Sequence, residues 1–308
     1  MPLVPPIALA LHGGAGTFTR TTLSTVDEQL TYQALTVALA AGEAILKQGG
    51  TAREAVVATI VELENNALFN AGHGAVFTED ATHELDAGLM EGHTLRAGAV
   101  CGLSTVKNPI RLADSILTGS PHVFFAGVGA ERYADQCPDI ERVSNDFFST
   151  PARLEQLRVA KEQALLAGPA GYFGTVGAVA LDQFGHLAAG TSTGGLSNKR
   201  VGRVGDSPML GAGVYASEKV AVSATGSGES FMRTLAAHAV DSRVRYLGQD
   251  IDHAAQEVIF GDLRTLGGVG GLIAIDRRGN ITMPCNITSM ARAALHADGS
   301  RHVRLFVE

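Results

Sequence analysis

The second half of the chain carries nearly the same pattern twice. VGAVALDQFGHLAAG (Val176 to Gly190) and GGLIAIDRRGNITMP (Gly270 to Pro284) share the core Ala-(Leu or Ile)-Asp-x-x-Gly-x-(Leu or Ile), with small residues before it and a polar exit after it. A run of strand-forming residues, a tight turn around glycine and a second run predict a hairpin at each place, not a long-period repeat array. Hairpins build antiparallel sheets, which argues against the strict βαβα alternation of a Rossmann fold or TIM barrel. The expected class is α+β, with sheets covered by helices.

The helices are read from spacing. STVDEQLTYQALTVALAAGEAILKQGG places Leu35, Leu39, Ile45 and Leu46 on one helical face and stops at Gly49–Gly50. In the next segment Thr51 is followed three residues later by Glu54, a capping-box pattern, which predicts a second helix. NPIRLADSILTGS and PARLEQLRVAKEQALLAG predict two more, and SGESFMRTLAAHAVDSRVRYLG and DIDHAAQEVIFGDLRTLGG a further pair. Ile7 to Leu11 reads as a first strand leading into the glycine turn HGGAG, and PHVFFAGVGA as a strand running into a turn.

Composition removes several function classes. The formal charge is −7, from 31 acidic and 24 basic residues, and no block of Lys or Arg occurs, so nucleic acid is not an expected partner. Three widely spaced cysteines, Cys101, Cys137 and Cys285, support neither a zinc knuckle nor a disulfide framework and fit a reducing compartment. The start of the chain lacks the basic region of a signal peptide, and no apolar stretch approaches a membrane span, so the expectation is a cytoplasmic protein without membrane contact.

Several short motifs carry candidate chemistry. HGGAG (His12 to Gly16) is not a P-loop, since no Gly-Lys-Ser/Thr follows; it reads as a glycine turn or an oxyanion loop. GTSTG (Gly190 to Gly194) matches the Gly-x-Ser-x-Gly elbow with Ser192 as nucleophile, but an elbow leads directly into a helix, and GLSNKRVGRVGDSP cannot start one. The His- and acid-rich stretch from His73 to His93 has neither His-Glu-x-x-His nor EF-hand spacing and reads as turn and surface residues. RVGDSP places Arg203 and Asp206 in a glycine-rich loop: a surface ion pair, or a reader of zwitterions with the guanidinium on a carboxylate and the carboxylate on an ammonium. ATGSGE (Ala224 to Glu229) offers a hydroxyl and glycine amides before a helix, suited to an oxyanion.

GYFGTVGAVALD sets Thr175 at the seam between a loose stretch and a strand. It reads as the first residue of a buried strand, or as a nucleophile released when the bond in front of it is cut. An N-terminal threonine carries its own base, an α-amino group with a pKa of about 7.7–8.0. Such a residue needs a flexible approach, a glycine before the bond and a rigid strand after it, and all three are present here.

Together these residues resemble the plant-type asparaginases, or isoaspartyl peptidases, of the N-terminal-nucleophile (Ntn) hydrolases. The likeness rests on LHGGAG, LFNAGHGAVFTEDATHELDA, MEGHTLRAGAV, NPI, GTVGAVALD, TSTGG, GRVGDSP, GAGVYA, TGSGE and GGVGGLIAID, in family order from residue 11 to 276. The resemblance implies a four-layer αββα sandwich forming one domain, cut between Gly174 and Thr175 into residues 1–174 and 175–308 and paired as a dimer of αβ heterodimers. It implies that Thr175 attacks the β-carbonyl of an isoaspartyl dipeptide or of asparagine, and that water then releases aspartate from a β-aspartyl ester. Thr193 would position the nucleophile, Thr225 and Gly226 would form the oxyanion hole, and Arg203 and Asp206 would hold the substrate's α-carboxylate and α-ammonium with help from Gly228. Asn70 would organise the surroundings. No cofactor is implied for the chemistry, but a sodium ion would be wrapped by the main-chain carbonyls of Leu63, Glu64, Asn66, Phe69, Ala71 and His73.

The sequence departs from the family in two places. The segment before Gly174 is short, which bears on the rate of self-cleavage. The last eighteen residues carry little pattern and are expected to shape the leaving-group side of the pocket. GTVG in place of DTxG separates the chain from the related secreted glycosylasparaginases.

Overall fold

The structure, a computed structural model, describes residues 6–167 and 174–307. The immediate approach to the expected cleavage point, 168–173, lies outside the described residues. Among the described residues four strands precede Thr175: β1 (Ala8–Gly16), β2 (Leu85–Glu91), β3 (Ala97–Leu103) and β4 (Phe124–Ala126). Eight follow: β5 (Val176–Leu181), β6 (Leu187–Thr193), β7 (Val214–Ala216), β8 (Val220–Gly226), β9 (Gly270–Asp276), β10 (Ile281–Thr282), β11 (Ser289–Leu295) and β12 (Arg301–Phe306). They form an eight-stranded sheet in the order β12-β11-β1-β5-β6-β2-β3-β4 and a four-stranded sheet in the order β10-β9-β8-β7.

The two similar segments are the expected hairpins, and each serves a different sheet. β5 and β6 pair with Leu181 opposite Leu187, and β9 and β10 with Ile275 opposite Ile281. The shared aspartate does the same work in both. Asp182 Oδ1 accepts from the Phe184 and His186 amides at 2.9 and 3.0 Å, and Asp276 Oδ1 from the Arg278 and Asn280 amides at 2.8 and 3.0 Å. These side-chain bonds stand in for backbone bonds and fix the turns.

Helices α1 (Thr25–Lys47), α2 (Ala52–Glu64) and α3 (Pro109–Gly119) pack on the larger sheet. The expected capping box opens α2, and Asp182 Oδ2 takes the Ala52 amide at 2.9 Å, tying this helix to the first hairpin. α4 (Gly127–Ala134) and α5 (Pro151–Ala167) complete the first half. α6 (Gly228–Thr234), α7 (Ala236–Leu247) and α8 (Ile251–Gln256) accompany the smaller sheet.

Period-two alternation sorts the strand residues into separate apolar clusters. Leu9 and Leu11 of β1 and Ala178 and Ala180 of β5 pack with Leu35, Leu39, Val56 and Ile60 of α1 and α2. Their neighbours Ala8, Ala10, Val179 and Leu181 pack instead with Ala221, Ile273 and Ile275 of the smaller sheet. On β8, Val220, Val222 and Ala224 meet Phe231, Val240 and Val258. No helix among the described residues is long and apolar enough to cross a membrane.

Three local expectations are corrected, and the last segment, which carried little pattern, takes a definite form. HGGAG is not a turn: β1 runs through it to Gly16, paired with distant β11, and a bulge between His12 and Gly14 absorbs the glycines. PHVFFAGVGA supplies three strand residues, pairs in parallel with β3, and then starts α4 at Gly127, whose φ of 49° makes the corner. The helix expected from Ser227 onward is two helices, joined at Leu235 in the left-handed conformation (φ 48°). The last segment is the β11–β12 hairpin beside β1.

Candidate active site

Alternation along β6 decides which hydroxyl faces the space between the sheets. Ala188, Gly190 and Ser192 look toward the helices: Ser192 Oγ donates to Glu64 Oε1 at 2.6 Å, and a side chain at Gly190 would run into Val56 and Ile60. Thr191 and Thr193 therefore look the other way. Val176 lies opposite Ser192 in the β5–β6 register, and one residue further along, Thr175 faces Thr193. The Thr175 hydroxyl donates to Thr193 Oγ1 at 3.2 Å. Ser192 has no such setting, and no helix follows Gly194. The serine-elbow reading is thereby set aside.

The Gly174 carbonyl, on the other side of the bond in question, is held by two donors. Asn70 Nδ2 reaches it at 2.8 Å and the Thr193 hydroxyl at 3.1 Å. Thr193 Oγ1 also accepts from the Gly195 amide at 2.9 Å, which directs its own proton toward Gly174. The orientation of Asn70 follows from its partners: Oδ1 must meet the Val76 amide (2.9 Å), so Nδ2 serves the carbonyls of Gly174 and Gly195. A side chain at Gly174 would lie 2.9 Å from Asn70 Cβ, and one at Gly14 would lie 3.0 Å from Gly174 Cα. The peptide is thus gripped between the Asn70 loop and the β1 bulge, and close approach is what requires glycine.

The HGGAG segment contributes more than glycine. His12 is fully buried, and burial pushes its pKa down to about 3, so the ring is neutral. Nδ1–H donates to the Thr175 carbonyl at 3.0 Å, which leaves Nε2 to accept from Ser223 Oγ at 3.0 Å. This histidine bridges the two sheets behind Thr175. The Ala15 amide donates to Thr225 Oγ1 at 3.0 Å, leaving the Thr225 hydroxyl proton directed elsewhere. Neither contact was legible in the sequence, because both join positions more than 150 residues apart.

A narrow cleft opens at Thr175, bounded by Gly174, Thr193, Arg203, Asp206 and Gly226 among others. Arg203 Nε and Nη2 both donate to Glu229 Oε1, at 3.0 and 2.8 Å. A side chain at Gly228 would lie 2.9 Å from Arg203 Nη2 and 3.0 Å from Asp206 Oδ1, so this glycine lets both charged groups share one edge of the cleft. Asp206 Oδ2 is buried without a hydrogen-bond partner among the described residues. Burial raises the Asp206 pKa to about 7, partly offset by nearby Arg203. A buried acceptor left open beside a guanidinium suits a ligand carrying both an ammonium and a carboxylate. Gly226, with φ of 148°, sits next to Thr225 at the end of β8.

The loop from Leu63 to His73 presents main-chain oxygens of two kinds. Those of Leu63, Glu64 and Asn66 close turns with the amides of Asn66, His73 and Phe69. Those of Phe69, Ala71 and His73 accept no hydrogen bond among the described residues, which fits a cation ligated by carbonyls. The Glu64 side chain is separately engaged: Oε1 accepts from Ser192 and from the Ile110 amide at 3.0 Å, and burial raises its pKa to about 7. No group of three or more metal-binding side chains occurs among the described residues, and His83, inside the His-rich stretch, instead packs on Phe77 and bonds Ser149.

Comparison with known proteins places the chain in a family. A family model described as Asparaginase matches residues 5–305. A protein named isoaspartyl peptidase from Salmonella typhimurium is 49% identical over 294 residues, covering 92% of this chain and 94% of that one. The isoaspartyl peptidase of Escherichia coli is 48% identical, covering 92% and 91%. A human protein named isoaspartyl peptidase/L-asparaginase is 36% identical, covering 96% and 95%.

Proposed function

The chain belongs to the asparaginase family, and from that premise we propose that it is a self-cleaving threonine amidohydrolase acting on isoaspartyl dipeptides and L-asparagine. One observation carries the reading: the Thr175 hydroxyl on Thr193, beside a Gly174 carbonyl held by two donors, in a cleft that also contains Arg203 and Asp206.

In maturation, Thr175 Oγ1 adds to the Gly174 carbonyl carbon, and Asn70 Nδ2 and the Thr193 hydroxyl stabilise the charge that develops on its oxygen. The C–N bond to Thr175 breaks, the nitrogen takes the hydroxyl proton, and an ester joins Gly174 to Thr175 Oγ1. Water hydrolyses that ester, leaving a Gly174 carboxylate and a free Thr175 α-amino group. This amino group is the base that the hydroxyl otherwise lacks.

In turnover, Arg203 holds the substrate α-carboxylate and Asp206 its α-ammonium, which brings the β-carbonyl to Thr175 Oγ1. Thr225 Oγ1–H, oriented by the Ala15 amide, and the Gly226 amide stabilise the oxyanion. The α-amino group passes the proton to the leaving amine, and water then releases aspartate from the β-aspartyl ester.

The fold assigned to this chemistry is a single αββα sandwich of the Ntn type, supported by three apolar clusters lying between helices, sheet, sheet and helices. Residues 1–174 and 175–308 form the two subunits, paired as a dimer of heterodimers. The carbonyls of Leu63, Glu64, Asn66, Phe69, Ala71 and His73 would hold sodium, which steadies the loop when bound. Three unpaired cysteines support a reducing compartment, the cytoplasm.

The direct test is aspartate release by the fully cleaved protein from a panel of β-aspartyl dipeptides and from asparagine. Release from both is expected, and no release from any dipeptide would overturn the reading. A second expectation concerns pH. Because burial keeps the Asp206 proton on up to about pH 7, only the ionised fraction can bind an ammonium. KM therefore climbs below that pH, by about tenfold per unit once titration is complete. An unchanged KM between pH 5 and 8 would remove Asp206 from ammonium binding.

A further inference from the structure

Arg153, in the first turn of α5, has no carboxylate partner among the described residues. Its Nε donates to the Gly74 carbonyl at 2.6 Å, Nη2 to the Leu68 carbonyl at 3.2 Å and Nη1 to Gln156 Oε1 at 2.9 Å. All three acceptors are neutral. Burial lowers its pKa to about 10, which still leaves the guanidinium charged at neutral pH. Arg153 is half-buried, and all three of its bonds go to neutral oxygens, so no ion pair among the described residues accounts for its place.

The two carbonyls it takes bracket one loop. Between Leu68 and Gly74 the chain has no regular ladder and passes through two left-handed glycines, Gly72 (φ 50°) and Gly74 (φ 106°). Asn70 sits inside this loop, and its Nδ2 is one of the two donors on the Gly174 carbonyl. Leu68 and Gly74 are also not among the six residues whose carbonyls would face sodium, so the loop offers Arg153 a separate set of oxygens.

We propose that Arg153 is a positioning residue for self-cleavage: a built-in cation that ties both ends of the 68–74 loop and thereby sets Asn70 against the Gly174 carbonyl. Charge-assisted bonds to carbonyls are stronger than neutral ones, and two of them on one planar group fix a distance as well as a direction. The proposal rests on the reading that the Gly174–Thr175 bond is cut.

The test is chemical rescue of Arg153→Ala. Its self-cleavage, followed by intact mass, is expected to be about 10- to 100-fold slower than wild type, the scale of a misplaced or lost donor. Ethylguanidinium at tens of millimolar restores the rate, whereas the neutral isostere N-ethylurea does not. Wild-type speed in Arg153→Ala, or equal rescue by the neutral compound, overturns the proposal. If Arg153→Ala does not fold, Arg153→Lys and Arg153→Met make the same comparison: lysine cleaves faster if charge positions the loop, and equal rates overturn it. Hydrogen exchange in the uncut Thr175→Ala background gives a readout independent of cleavage. Adding Arg153→Ala should speed exchange of the His73, Gly74 and Val76 amides, and ethylguanidinium should slow it again; unchanged exchange overturns the clamp. Failure of the wild type to cut would sink the cleavage reading, while this exchange measurement still judges Arg153.

Discussion

Thr175→Ala is expected to remain a single full-length chain and to release no aspartate. The substitution removes one hydroxyl whose bond is to Thr193 Oγ1 at 3.2 Å. The remaining contacts persist: Thr193 still accepts from Gly195 and donates to Gly174, and His12 still holds the Thr175 carbonyl. A neutral hydrogen bond contributes about 1 kcal/mol, so the variant folds with a melting temperature a few degrees from that of the uncut wild type. Chemistry is affected far more, since removal of an attacking hydroxyl costs on the order of 10⁶ in kcat where it has been isolated. Intact mass after purification and again after prolonged storage gives the answer. Two fragments from Thr175→Ala, with a junction at residue 174, would assign the cut to some other group.

Arg203→Ala separates maturation from turnover. The Gly174 carbonyl is held by Asn70 and Thr193, and Arg203 bonds to neither of them. Before the cut, no free α-carboxylate is present for the guanidinium to hold. Self-cleavage should therefore run at the wild-type rate. Substrate binding loses a bidentate charge-assisted contact, and kcat/KM for β-aspartyl dipeptides should fall by about 10²- to 10³-fold. Loss of the cation also removes an influence that lowers the Asp206 pKa, so the ammonium site weakens in the same direction. Glu229 is left unpaired but largely exposed, which costs little. Parallel time courses of fragment formation and aspartate release decide the matter, and equal loss of both would make Arg203 a structural residue.

Local signals in the sequence were dependable where neighbours in the chain settle the structure. Thr51 with Glu54 opened α2, and the repeated aspartate turns produced both hairpins. Alternation along β6 separates Ser192 from Thr193 only once the strand's partners are known. What escaped was decided by partners far away in sequence. HGGAG looks like a turn until β11, some 275 residues later, pairs with it. The final hairpin has no strong pattern because its residues are selected by β1 beside it. His12, Ala15, Glu229 and Arg153 act through contacts to backbone or to distant side chains, and such contacts leave no spacing to read. Asn70 was reached only through family likeness, and its three hydrogen bonds account for its place.

The order of the larger sheet gives the proposed cut a thermodynamic meaning. β1 lies between β11 and β5, so a strand from before the Gly174–Thr175 bond is flanked on both sides by strands from after it, while β6 pairs with β2 across the same divide. Before cleavage, these pairings form within one molecule, and their assembly is independent of concentration. After it, identical pairings hold two polypeptides together, and any refolding from the separated pieces becomes a second-order encounter that dilution disfavours. The proposed cleavage would thus trade a reversible folding equilibrium for a woven product whose persistence is set by how slowly the sheet unravels.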